Sequence, residues 1–242
     1  MGFVKERDES IIMTKRSKKY KKAREALGIT RTFAPQEGLA RVKQLAYARF
    51  DESVDVHVNL GIDPEKGDQV VRGSVLLPHG TGRVVRIVAF AKGDHATEAL
   101  AAGVDFVGTD DLVKRIEDGW LDFDFAITTP DLMGLVSKVA RILGPRGLLP
   151  NKKTGTVTDE VGKTVADLRK GKLFFKNDKS GLVHFSIGKV SFAVENLVDN
   201  LRVFLHALSA SKPAAARGVF IRKITIASTM GVGVQVAASG DV

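Results

Sequence analysis

The chain has 242 residues, no cysteine, and a formal net charge of +9 from 37 Lys/Arg against 28 Asp/Glu. Without cysteine there is no disulfide framework and no thiolate metal site, and a hydrophobic content of 44% excludes a disordered tail. The longest apolar run, 84–91, is broken by Arg86 and far too short for a bilayer, and charges of both signs fill residues 5–9, where a signal peptide would be apolar, so the chain reads as soluble and cytoplasmic.

At roughly 150 residues per domain the length allows one to two domains, and the elements suggest two. Residues 17–27 are Lys-rich with few apolar positions, which predicts a helix with a basic face. Residues 35–49 place Leu39, Val42, Leu45 and Ala46 at helical spacing, with Pro35 suited to a first turn. Residues 53–60 alternate without a slip: Val54, Val56, Val58 and Leu60 on one face, Ser53, Asp55, His57 and Asn59 on the other. That is a half-buried antiparallel strand. A second strand, 71–77, stops at Pro78.

From Gly80 the pattern changes. An apolar run at 84–90 is followed by a helix at 96–102, a short strand at 106–107, a helix opening at Thr109, a strand at 123–127 and a helix at 130–143. Strands alternating with helices predict parallel βαβ units, a Rossmann-like sheet with helices on both faces. After Gly171 the first pattern returns. Residues 172–176 and 182–187 read as a hairpin turning through 177–181. Ser191 is placed to cap a long helix striped by Leu197, Leu201, Phe204, Leu205 and Leu208. Closing strands follow at 218–228 and 232–236.

The expected architecture is thus an α+β domain built from both chain ends, a split βαβ-type antiparallel sheet with helices, made of residues 1–79 plus 172–242. Residues 80–171 form an inserted α/β domain. The chain crosses between them at Gly80-Thr81-Gly82 and at Gly171. Glycine there suits a hinge (Gly80, Gly82, Gly171), although ordinary turns use glycine too. Charge follows the same division. Residues 1–32 hold ten Lys/Arg against four Asp/Glu, 172–242 nine against four, 80–171 thirteen of each, and 33–79 five against seven. A polyanion would therefore meet the chain ends.

Nothing positive supports an enzyme. Lys153-Thr154 follows Lys152, not the glycine that a phosphate loop needs. Gly80-x-Gly82 precedes a strand instead of following one and lacks the third glycine of a dinucleotide fingerprint. The five histidines show no metal-ligand spacing, and no Gly-x-Ser-x-Gly elbow occurs. Asp55 and His57 share a strand face, where a polar surface row explains them without acid–base chemistry. No cofactor or metal is expected.

The segment from Gly144-Pro145-Arg146-Gly147 through Pro150-Asn151-Lys152-Lys153-Thr154-Gly155-Thr156 is the most distinctive loop. Together with Arg49-Phe50-Asp51-Glu52, Phe175-Lys176-Asn177-Asp178-Lys179 and Thr229-Met230-Gly231, it resembles a family of bacterial large-subunit ribosomal proteins, those of the mobile stalk beside the tRNA exit site. The resemblance runs from about residue 15 to about residue 236. It implies the two-domain plan, a ribosomal location and a free monomer. The implied partners are large-subunit rRNA, deacylated tRNA leaving the exit site, and the leader of the protein's own mRNA, whose translation it would repress. An RNA-binding or RNA-chaperone module outside the ribosome is the alternative.

The RNA-binding set the resemblance implies is Arg49, Phe50, Ser53, Asp55, His57, Lys176, Asn177, Asp178, Lys179, Ser228, Thr229, Met230 and Gly231. By residue type alone Phe50 belongs beneath the sheet; the resemblance puts it on the RNA surface, where an aromatic plane suits a splayed base. Thr229-Met230-Gly231 lies between two strands, and Met230 suits an apolar contact at an exposed tip. The family opens with a short basic segment like Met13-Thr14-Lys15-Arg16, so that residues 1–12 read as an extension or as an upstream misassigned start.

Overall fold

The computed structural model describes residues 17–28 and 32–237, apart from the Lys153 side chain; the extension expected at 1–12 lies outside the described residues. Three sheets organise the described residues. The largest is antiparallel and four-stranded: β1 (Ser53–Leu60) lies between β7 (Leu182–Lys189) and β8 (Ile221–Ser228), with β9 (Val234–Val236) beyond β8. Helices α2 (Pro35–Leu45) and α8 (Val194–Ala210) cover its inner face, and α1 (Lys18–Leu27) packs against α2. The alternation expected in β1 is complete, with all four apolar side chains buried. Its neighbours come from far along the chain: His57 faces His184 on one side and Thr225 on the other.

The second sheet is a two-stranded ribbon of β2 (Arg72–Leu76) and β6 (Lys172–Lys176), paired antiparallel with Arg72 opposite Lys176. The third is parallel: β3 (Ile87–Phe90) sits between β4 (Phe106–Gly108) and β5 (Phe125–Thr128). Its faces are covered by different helices. Val88, Phe90 and Ala126 pack with α4 (Asp110–Glu117) and the 130–143 segment. Ile87, Ala89 and Ile127 pack with α3 (Asp94–Ala101) and α7 (Val161–Lys170). Apolar runs buried on both sides are what a parallel sheet requires.

The core under the large sheet draws only on residues outside 80–171, and the two cores of the parallel sheet lie within that segment apart from one side chain. That exception is Phe174 in β6, which packs against the parallel-sheet core and meets Phe125 edge-on at 5.7 Å. Its neighbour Phe175 faces the other way, onto Phe185 and Phe204. The ribbon therefore presents one face to each core, as the two-residue period of a strand allows.

Three expectations need correction, and one helix is new. The strands 172–176 and 182–187 are not a hairpin: β6 pairs with β2 and β7 with β1, and the two meet at the turn through the bridge Asn177–Val183 and the Asp178 N–H on the Leu182 carbonyl at 2.8 Å. The Asn177 amide oxygen accepts the Val71 N–H at 2.8 Å and draws the chain toward β2 at the turn. Ser191 does not cap α8; its hydroxyl donates to Asp51 at 2.8 Å, and Ala193 occupies the cap position. Residues 130–143 alternate short α and 3₁₀ pieces where one helix was expected, although Leu132, Val136, Val139 and Leu143 still bury one face. Gly134 and the Ser137 hydroxyl bonding back to the Met133 carbonyl loosen that helix. Helix α7 went unread because the Gly/Lys-rich loop just before it dominated the local composition, although Val161, Val165 and Leu168 are spaced as one buried stripe.

The two chain crossings touch. Gly171 ends α7 at φ 108, and a Cβ there would lie 2.7 Å from the Gly80 Cα. The fully buried Asn200 of α8 fastens the first crossing. Its amide donates to the Gly80 and Ile187 carbonyls at 3.0 and 2.7 Å and accepts the His79 N–H at 3.2 Å. Gly171→Ala combines left-handed backbone strain with a backbone clash and should lower unfolding free energy by about 2–3 kcal/mol in urea titration.

Candidate RNA-binding surface

The sequence-selected residues form two groups at opposite ends of β1. At its start, Arg49 and Phe50 precede the strand and Ser228 to Gly231 close around it. Thr229 N–H donates to the Ser53 carbonyl at 3.1 Å, and the Ser53 N–H donates to Thr229 Oγ1 at 3.0 Å. Near its end, the 176–181 turn meets Leu60, whose N–H donates to the Gly181 carbonyl at 3.0 Å. Seven strand steps separate the groups, roughly 23 Å. The row Ser53, Asp55, His57 and Asn59 runs between them on the outer face, each residue half-buried.

Phe50 is 58% exposed and Met230 52%. An exposed aromatic and an exposed methionine beside one strand end are costly in water and mark an interaction surface when they cluster. What holds them out is Glu52, a residue the sequence reading passed over. Its side chain is only 1% exposed. Oε1 accepts the Ala48 N–H at 2.9 Å and Oε2 the Met230 N–H at 3.0 Å. Burial, the largest influence, pushes this carboxyl up. The Met230 N–H, the Ser228 hydroxyl and the N–H groups of Ala48 and Tyr47 outweigh it and hold the group below its ordinary value of 4.5. Its stabilisation is therefore present above that value and lost as pH falls through the folded one.

Tyr47 adds a second clamp, its hydroxyl donating to the Met230 carbonyl at 2.6 Å. Gly231 leaves room for the clamp, since a Cβ would lie 2.3 Å from Ser228 Oγ and displace the hydroxyl that bonds Glu52. Ser17 and Tyr20, at the start of α1, line a shallow cavity with Tyr47 and residues 229–231. Helix α1 thus brings Lys18, Lys19, Lys21, Lys22 and Arg24, all exposed, next to the tip. Tyr47 and Glu52 carry no periodic signal; only their closeness to Arg49-Phe50 points to them.

The other group divides by burial. Lys176 and Lys179 are exposed, whereas Asn177 and Ser228 are buried and turn inward. Asp178 accepts the Leu182 and Ser180 N–H groups, each at 2.8 Å. The Leu182 N–H is the main reason its carboxyl lies below the usual aspartate value. These three residues build the turn and the tip, and the cations and exposed side chains are free for a partner.

Midway, His57 Nδ1 and His184 Nδ1 lie 2.7 Å apart across the β1–β7 pair, so one nitrogen must donate to the other. Burial first, and the His184 ring second, lower the His57 pKa from 6.5 against the pull of Asp55. His57, shifted toward its neutral form, and small polar groups line this stretch between two basic ends. Among the described residues no group of three or more His, Asp or Glu could hold a metal ion. No described helix is long and apolar enough to cross a membrane.

Comparison with known proteins gives the class first: a ribosomal protein of the large subunit. Residues 42–232 match the pattern described as "Ribosomal protein L1p/L10e family", and the chain belongs to that family. It is similar to "Large ribosomal subunit protein uL1" of Cutibacterium acnes, with 51% identity over 222 residues, 92% of this chain and 96% of that protein.

Glu52→Gln replaces one acceptor oxygen by an amide that faces an N–H donor. It should cost about 1–3 kcal/mol of unfolding free energy in urea titration. Amide exchange at Met230 should accelerate more than exchange in β1.

Proposed function

We propose that the chain binds large-subunit rRNA through the outer face of the antiparallel sheet, gripping it at both ends of β1. Phe50, Met230 and Thr229 would meet bases and sugars at the tip, with Arg49 and helix α1 on the phosphates. Ser53, Asp55 and His57 line the floor, where a carboxylate can accept from a 2′-hydroxyl. Lys176 and Lys179 would hold a second stretch of backbone, while Asn177, Asp178, Ser228 and Gly231 shape the surface. The observation that carries the reading is the exposed Phe50–Met230 tip, held out by a buried carboxylate where both side chains could otherwise fold inward.

In this reading residues 1–79 plus 172–242 are the RNA-binding domain and 80–171 an inserted domain, with Gly80, Gly82 and Gly171 as the hinge. On the ribosome, in the cytoplasm, the inserted domain helps release deacylated tRNA from the exit site. The free monomer represses its own message by binding a similar RNA fold. Membership of a ribosomal protein family supports a structural, non-catalytic role without cofactor or metal.

Replacing Thr229 and Met230 together by alanine should weaken binding to large-subunit rRNA by about 1–3 kcal/mol while lowering the melting temperature by only about 2–4 °C, the loss of the Thr229 hydroxyl that accepts the Ser53 N–H. A melt lower than that, with normal binding once folded, would make these residues core. Lys176→Ala should weaken binding to every RNA alike and reduce the salt slope by about one. Sedimentation of the chain away from large subunits in a lysate would favour an RNA chaperone outside the ribosome.

The domain division has its own test. Leu76 and Lys172 are register partners, so residue 79 can be joined to residue 172 by a short linker. The shortened chain should fold and bind rRNA with an affinity that falls as salt rises. Binding found instead in an isolated 80–171 fragment would overturn the division.

A further inference from the structure

The ribbon that touches both cores carries an electrostatic oddity. Arg72 and Lys176 are direct cross-strand partners, and like charges placed so repel each other. Among the described residues neither side chain has a hydrogen bond or an ion pair. On the same face of the same ribbon, Lys172 does have a counter-charge, Asp167 at 3.6 Å. The fold neutralises one end of this face and leaves the other end bare.

A cavity of about 420 Å³ opens beside the bare end. Arg72, Phe174 and Lys176 line it from the ribbon, Phe125 and the 144–156 loop from the parallel-sheet side, and no carboxylate lines it. The adjoining cleft of about 620 Å³ is different, containing Asp51, Asp55 and Asp124 against Arg83 and Lys189. The loop deepens the contrast. Residues 80–171 hold thirteen charges of each sign, yet 132–158 hold five Lys/Arg and no Asp/Glu. Of these, Arg146 and Lys152 are exposed. The loop is also tied to itself: Asn151 N–H donates to Thr156 Oγ1 at 2.8 Å, and Thr154 Oγ1 donates to the Asn151 carbonyl at 2.9 Å.

Unpaired cations, two aromatic rings, and a volume inside the few-hundred-Å³ range of small-ligand pockets describe one chemistry. Phosphate satisfies the cations, and a base or ribose lies against the rings. We propose that this cavity receives one nucleotide of a bound RNA strand, its phosphate between Arg72 and Lys176. Arg72 and the 144–156 loop thereby become RNA contacts, and a single strand bridges both parts of the chain. The inference rests on the RNA-binding reading above and extends it to residues that reading does not use.

The test uses the full chain with purified large-subunit rRNA, 5′-AMP and inorganic phosphate as probes. Arg72→Glu should raise the rRNA Kd about tenfold or more, because one phosphate contact becomes a repulsion. The same change should hold or raise the melting temperature, since the new carboxylate faces Lys176. Weaker binding without loss of stability is a pairing that a purely structural arginine would not give. If Arg72→Glu lowers the melting temperature by several degrees, Arg72→Gln decides: a reduced salt slope supports the site, an unchanged Kd and slope overturn it. If both Arg72 variants bind rRNA normally while the Thr229/Met230 double variant binds weakly, the cavity proposal fails and the RNA reading stands. If all three bind normally, the RNA reading itself fails. Submillimolar binding of AMP or phosphate that Arg72→Glu abolishes, with rRNA binding unchanged, would assign the cavity to a free nucleotide or ion and overturn the proposal.

Discussion

A carboxylate with almost no contact with water, and no cation beside it among the described residues, holds the exposed Phe50–Met230 tip of this molecule together. Glu52 lies where two irregular segments meet, the turn leading into β1 and the turn leaving β8. Turns leave backbone N–H groups without strand partners, and a buried orphan donor is expensive. One charged side chain satisfies several at once, with the strength that charge gives a hydrogen bond. Because those donors belong to Ala48 and Met230, the clamp sets where Phe50 and Met230 point. Tyr47 and the missing Cβ of Gly231 complete it from the other side.

The ribbon of β2 and β6 acts on a larger scale. Its inner face contributes Val75 and Phe175 to the core under the antiparallel sheet, and its outer face sends Phe174 to the parallel-sheet core. Two backbones, the Phe174–Phe125 contact and the Lys172–Asp167 ion pair thus carry the link, with Asn200 tying the first crossing to α8 through two hydrogen bonds and to β7 through a third.

Much of this was legible in the sequence, for a definite reason. Where one face of an element is wet and the other dry, composition records the period; β1 alternates and α8 keeps its stripe as expected. The change from alternation to continuous apolar runs at Gly80 likewise marks the change of sheet type. The failures concern polar residues that fold inward. Glu52, Asn177 and Asn200 all look like surface, and each is buried because it pairs with backbone groups that no local pattern reveals. The expected hairpin failed for the same reason, since Asn177 directs the chain to a different sheet. Phe50 failed in reverse: its residue type points inward, and only the resemblance placed it outside, where the structure has it.

The order in which β1 finds its neighbours has a bearing on how the protein is made. Val56 pairs with Phe185 and Ile226, so the central strand waits for more than a hundred further residues before either flank can form. The parallel sheet between them is complete by Thr128, and its last covering helix ends at Lys170. During synthesis from the N-terminus every strand of the parallel sheet is therefore made while β1 is still an unpaired, valine-rich strand with two open edges. Pairings this distant in sequence are slow to close. The basic residues of α1 and the polar row on β1 travel with that strand through the interval, and charge on an open strand disfavours pairing with a wrong neighbour.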